Sequence, residues 1–295
     1  MLWAVFTLIA AAAQTARNAM QRELTATLGT VGATHVRFLF GFPFALFIFL
    51  PGVMYFFGVS LPNPPAIFWA WVVFGALTQI GATATMLSVM GERSFVVVYA
   101  YIKTEPVQVA LFGLIFLGEH IGIGAATAIF IATAGVIVIS LKPGIGSVST
   151  TRSTVIGILS GSLFALSAIG YRGAILSLNT PHFVMTATFT LAVGLVMQAV
   201  LLTAWLALRD PNVLRAIAKA WKPSLLAGFM GAFASEFWFL AFAIASAANV
   251  RTLALVEVLF AQGVTRFVFK QPTTMREGWG IVLVVLGVAL LVWVH

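Results

Sequence analysis

Apolar stretches of about twenty residues recur along this chain, parted by short polar or Gly- and Pro-rich breaks. A helix needs about 20 mostly apolar residues to cross the hydrocarbon core of a bilayer. Segments 3–22, 31–50, 66–89, 94–118, 121–141, 153–173, 181–206, 224–245, 248–269 and 275–294 meet that length. The pattern therefore predicts an all-α membrane protein with ten transmembrane helices. Most connections are short, as in Pro62-Asn63-Pro64-Pro65 and Lys142-Pro143-Gly144, which makes neighbouring spans antiparallel. The longest connection, 207–223, reads as an interfacial helix. Asp210 is placed to cap it, Pro211 suits its first turn, and Arg215, Lys219 and Lys222 give it a basic side opposite Leu214, Ile217 and Trp221.

Composition agrees. The 295 residues are 61% hydrophobic and 8% charged, against about 25% charged in a soluble domain. Mean hydropathy is +1.07. No hydrophilic block is long enough for a soluble domain, and the N-terminus reads as the first span, not as a removed signal. The absence of cysteine excludes disulfides, thiol catalysis and Cys-based zinc sites. His35, His120, His182 and His295 have no metal-ligand spacing, and no nucleotide-binding loop motif occurs, so no cofactor is expected.

The net charge of +8 does not point to nucleic acid. Arg22, Arg93, Lys142, Arg152, Arg209, Arg215, Lys219, Lys222, Lys270 and Arg276 all fall in odd-numbered loops, and the even-numbered loops carry little beyond Arg251. Positive residues gather on the cytoplasmic side. The bias predicts an inner (plasma) membrane protein with odd loops in the cytoplasm and both termini outside.

An offset of 152 residues aligns the fourth span with the ninth and carries Glu105 onto Glu257 and Gly135 onto Gly287. An offset of 155 carries Arg17 onto Arg172. Two five-helix halves, 1–145 and 150–295, follow. Because five is odd, the halves are inverted in the membrane, the arrangement of many transporters, whose site lies between repeats near the midplane.

Lys103, Glu105, Glu236 and Glu257 sit near the middle of apolar spans. Charges there are costly and face a polar path or cavity. Pro106 removes a backbone donor beside Lys103 and Glu105, so nearby carbonyls lose partners, which is tolerated only against protein or a wet cavity. Lys103 is expected either to neutralise one of the acids as a packing pair or, with them, to contact a zwitterionic substrate. Glu236, whose repeat counterpart is about Ala84, is a candidate for proton coupling, with pairing to an Arg or Lys as the alternative. Gln14, Gln79, Tyr99 and Trp238 complete the expected substrate-binding set, with Tyr101, Phe233, Phe237 and Phe239 as further aromatic lining. Arg17, Arg37 and Arg172 lie nearer span ends and are expected to snorkel to headgroups, a gate or anion-attracting vestibule being the alternative.

Arg37-Phe38 in the second span, Thr104-Glu105-Pro106 and Leu117-Gly118-Glu119 in the fourth, and the two five-span halves together resemble the drug/metabolite transporter superfamily, in its ten-helix EamA-type branch. The resemblance covers nearly the whole chain. It implies a basket-shaped bundle around a central cavity, and export of amino acids, aromatic ones included, or related small metabolites. Two features depart from it: many members have cytoplasmic termini, and Lys270-Gln271 stands where the repeat would place Gly118-Glu119.

The function expected is secondary transport of a small molecule by alternating access, sufficient in a monomer, with membrane lipids around it and protons as a coupling ion. Drug-like cations or nucleotide-type metabolites are the alternative substrates. An enzyme would need clustered acids in its loops, and Glu92, Glu119, Asp210 and Glu277 are far apart. A channel would need a continuous polar stripe, whereas the charges here concentrate at the centre.

Overall fold

The computed structural model describes residues 1–88, 101–140, 150–267 and 274–294. All regular structure among them is helical. Among the described residues, seven helices are long and apolar enough to cross a membrane, the make-up of a multi-pass α-helical membrane protein. Large apolar side chains point outward along them, Phe130, Val200 and Val285 among them. Trp69, Trp205, Trp279 and Trp293 are also exposed, as in the aromatic belts at membrane interfaces.

The first expected span and the start of the second lie within α1 (Leu2–Leu39), which is interrupted at Gly29 (φ 69°, ψ 175°). That backbone region is essentially reserved for glycine. The chain reverses there. Gln21 Nε2 donates to the Ala33 carbonyl at 3.1 Å, yet twelve residues of straight helix would hold these positions about 18 Å apart. The second arm continues through α2 (Phe42–Phe44), a π-helical turn (Ala45–Phe49) and α3 (Leu50–Phe57). Pro43 and Pro51 each lack a backbone donor, and the ladder widens between them.

The chain then runs through α4 (Ala66–Ser88), α5 (Glu105–Leu117), α6 (Ile123–Ser140), α7 (Thr150–Ser177) and α8 (Phe183–Arg209). A short α9 (Pro211–Lys219) follows, then α10 (Trp221–Ile244), α11 (Ala247–Leu253), α12 (Val256–Phe267) and α13 (Met275–Val294). The surface helix expected over 207–223 is α9, with Pro211 in its first turn and Ile217 buried. Asp210 stands at its N-cap position, but its side chain makes no capping bond. Its backbone carbonyl instead accepts from Val213 N–H at 3.2 Å. Trp221 is not part of the buried face of α9; it is exposed at the start of α10.

The most extensive helix pairings are α1 with α10, α4 with α7, and α6 with α13. Small residues bring backbones close in the last pair. A Cβ built on Gly135 would lie 2.7 Å from the Gly280 carbonyl oxygen, and one on Gly287 would lie 2.5 Å from Ala132 N and 2.8 Å from the Ala128 carbonyl oxygen. Such approach is how helices pack where no hydrophobic force drives association.

Two expected spans are broken. The fourth is interrupted at residues 103–104 and the ninth at residues 254–255. In the fourth span Pro106 lies in the first turn after the break, and Thr104 N–H and Oγ1 both donate to the Tyr101 carbonyl, at 3.1 and 2.7 Å. The ninth span breaks with Val258 at the matching position, so proline alone does not account for the discontinuity. Residues 89–100, 141–149 and 268–273, which include the start of the expected fourth span, Lys142-Pro143-Gly144 and Lys270-Gln271, lie outside the described residues.

Candidate functional site

The two breaks start two half-helices, each with an acid in its first turn: Glu105 in α5 and Glu257 in α12. A helix N-terminus favours a carboxylate. Each acid also meets a cation from the other broken span. Arg251, in α11, forks onto Glu105, with Nε to Oε1 and Nη2 to Oε2 both at 2.6 Å. Lys103, in the break before α5, pairs with Glu257 Oε1. Lys103, Glu105 and Glu257 are each below a tenth exposed. The two pairs thus cross between the halves of the chain. Buried pairs of this kind persist only with good geometry and satisfied lone pairs.

Gln14 and Trp238 join the pairs into one network. Gln14 Nε2 donates to Glu257 Oε2 at 3.1 Å, and Gln14 Oε1 accepts from Trp238 Nε1 at 3.1 Å. The Arg251 guanidinium lies over the Trp238 ring, 4.9 Å from its centroid, a favourable cation–π position. Gln79 accepts from Gln198 Nε2 at 2.9 Å.

These side chains border a narrow cavity of about 50 Å³. Gln14, Gln79, Lys103, Glu105 and Trp238 line it, together with Arg17, Arg37 and Arg251. Glu257 joins the site through Lys103 and Gln14. Glu236 is not in the lining. It accepts from Thr188 Oγ1 in α8, and its Oε2 is buried with no hydrogen-bond partner among the described residues. The alternative set out for Glu236, pairing with an Arg or Lys, does not occur among the described residues. Tyr99 lies outside the described residues.

Three arginines correct the snorkelling expectation. Arg17 and Arg37 are both 3% exposed and line the cavity. The reversal of α1 at Gly29 brings both arms of the helix against Gly231 of α10. A Cβ there would lie 3.2 Å from Arg37 Cγ and 3.6 Å from Arg17 Cδ. Arg172 is held by the Glu119 carboxylate and the Phe242 carbonyl. Arg251, grouped above with the loop residues, is a residue that sequence reasoning missed. The 152 offset sets it at the position of Tyr99, opposite the break in the fourth span.

No family model matches the chain, and no curated protein matches it. Among solved structures, one described only as "Crystal structure of protein" is similar, with a TM-score of 0.72 at 15% identity over 98% of this chain and 96% of that one. At that identity the likeness shows a shared fold alone.

Proposed function

We propose that the chain is a secondary transporter, moving a small metabolite by alternating access between two inverted five-helix repeats, 1–145 and 150–295. The observation that carries this reading is the exchange of ion pairs at two matched helix breaks, Lys103 to Glu257 and Arg251 to Glu105, beside a polar cavity. Discontinuous helices meeting at a repeat interface are how many transporters build a midplane site. Packing supports the repeat. The 152 offset carries Gly135 to Gly287 and Ala128 to Gly280, so the contact of Gly135 with Gly280 recurs, partners exchanged, as that of Gly287 with Ala128. The α4–α7 pairing joins the third span to the sixth, and its counterpart, first span with eighth, is made by Gln14 on Trp238 and Phe6 on Phe237.

Ionic contacts across an interface can be broken and remade as rigid halves rock. At about 50 Å³ the cavity holds a few waters or one polar group, and a whole metabolite requires the halves to part. The resemblance to EamA-type drug/metabolite transporters suggests amino acids or related metabolites as cargo and an inner-membrane location with odd loops cytoplasmic. Protons are the coupling ion in this reading, with Glu236 as their carrier outside the cavity. The paired acids leave drug-like cations little to bind.

The test is counterflow in proteoliposomes with a labelled panel of phenylalanine, tryptophan, threonine, lysine and matched organic acids. Saturable exchange of a panel member, lost in folded Glu105→Ala and Glu257→Ala proteins, is expected. No exchange of any member by folded wild-type protein overturns the reading.

A further inference from the structure

Resting on the transporter reading, we infer that the site selects net-anionic organic acids, with Arg37 as the residue that holds their carboxylate, over zwitterions and cations. The argument starts from how the charges divide. Glu105 spends both oxygens on Arg251. Glu257 spends one on Lys103 and the other on Gln14. No carboxylate lining the cavity among the described residues is thus open to an ammonium group. The Trp238 ring is occupied too, because Arg251 covers it.

An anion finds the opposite situation. Arg37 is 3% exposed and lines the cavity, yet no carboxylate meets it among the described residues. Among the described residues its Nη1 and Nη2 reach only Thr83 Oγ1 and Ser235 Oγ, both at a long 3.4 Å, and its Nε has no hydrogen-bond partner. A buried guanidinium without a counter-charge is costly. Its planar fork fits a carboxylate with two parallel bonds. Arg17 lines the same cavity and shares the Gly231 surface, adding positive charge beside it. Tyr171, Phe239 and Phe242 give the cavity an aromatic wall for the acid's apolar body.

The test uses three probes with one phenyl body: 3-phenylpropionate (anion), phenylalanine (zwitterion) and phenethylamine (cation). Binding to purified full-length protein is read by tryptophan fluorescence, and transport by counterflow in proteoliposomes. The wild-type protein is expected to bind 3-phenylpropionate most tightly and phenethylamine least. Arg37→Gln is expected to weaken 3-phenylpropionate by about thirtyfold or more, the loss typical of truncating one side of a buried charge pair. Arg37→Lys, which keeps the charge but not the fork, is expected to fall between. The wild-type ranking needs no variant and so does not depend on how Arg37→Gln folds. If phenylalanine or phenethylamine binds as tightly as 3-phenylpropionate, or if none binds, the inference is overturned; exchange of phenylalanine would still leave the transporter reading standing. Binding of 3-phenylpropionate without counterflow of any probe or of any member of the wider panel upholds the anion site and sinks the transporter reading.

Discussion

Removing one member of the Arg251–Glu105 pair tests how the two broken helices are held. The pair is forked, with both bonds at 2.6 Å and side chains only 12% and 5% exposed. Glu105→Leu strands a buried guanidinium, and Arg251→Met strands a buried carboxylate. Each loss costs about 3–5 kcal/mol in a buried setting, with the lower end apt here because Arg251 retains some exposure. At about 2–4 °C per kcal/mol for a chain of this order, each single variant should lower the apparent unfolding midpoint in detergent by about 6 °C or more. The double variant replaces the pair with apolar groups and should recover most of that loss. A residue of about 0.3–1 kcal/mol remains because Glu105 also sits at a helix N-terminus. The assay is thermal unfolding of all four proteins in one detergent, analysed as a double-mutant cycle. Additive effects, or single variants as stable as the wild type, would refute the claim that this buried pair joins the halves.

Three further outcomes follow from the packing and the acids. Gly287→Val should destabilise by about 1–3 kcal/mol through overpacking against Ala132, while Gly278→Val, with open space around it, should not; unfolding midpoints of the two compare them directly. Gly29→Ala should cost about 1–3 kcal/mol although nothing crowds its Cβ, because φ there is 69°; an unchanged midpoint would show that the reversal of α1 tolerates a side chain. Glu236→Gln should remove the dependence of transport on a pH gradient, measured as uptake with and without an imposed gradient, and full retention of that dependence would exclude Glu236 as the proton carrier.

Much of the fold is legible in the apolar runs. The spans from 66, 121, 153, 181, 224 and 275 correspond to α4, α6, α7, α8, α10 and α13, because a membrane helix must supply its whole apolar length locally. The break near Lys103 was signalled by Pro106. The break at residues 254–255 carries no proline and shows only through the repeat register. Arg251 was hidden for a similar reason: its loop-like position says nothing about the acid it meets 146 positions away. Arg17 and Arg37 lie near span ends yet are buried, so distance from a span end does not decide their fate. Gln14, Arg17, Asn18 and Gln21 share one face of a helix by their spacing. That polar face signals burial against protein better than the distance does.

The chain contains no cysteine, so one introduced thiol reports on one place. Ser167 lines the cavity and is 2% exposed. The most direct measurement is labelling of a Ser167→Cys protein in proteoliposomes by a membrane-impermeant maleimide applied from one face or the other. Alternating access requires that the thiol react from both faces, in separate experiments on the same preparation, and that a transported acid slow both reactions. Reaction from one face only, under every condition of substrate and gradient, would contradict a cavity that opens to each side in turn.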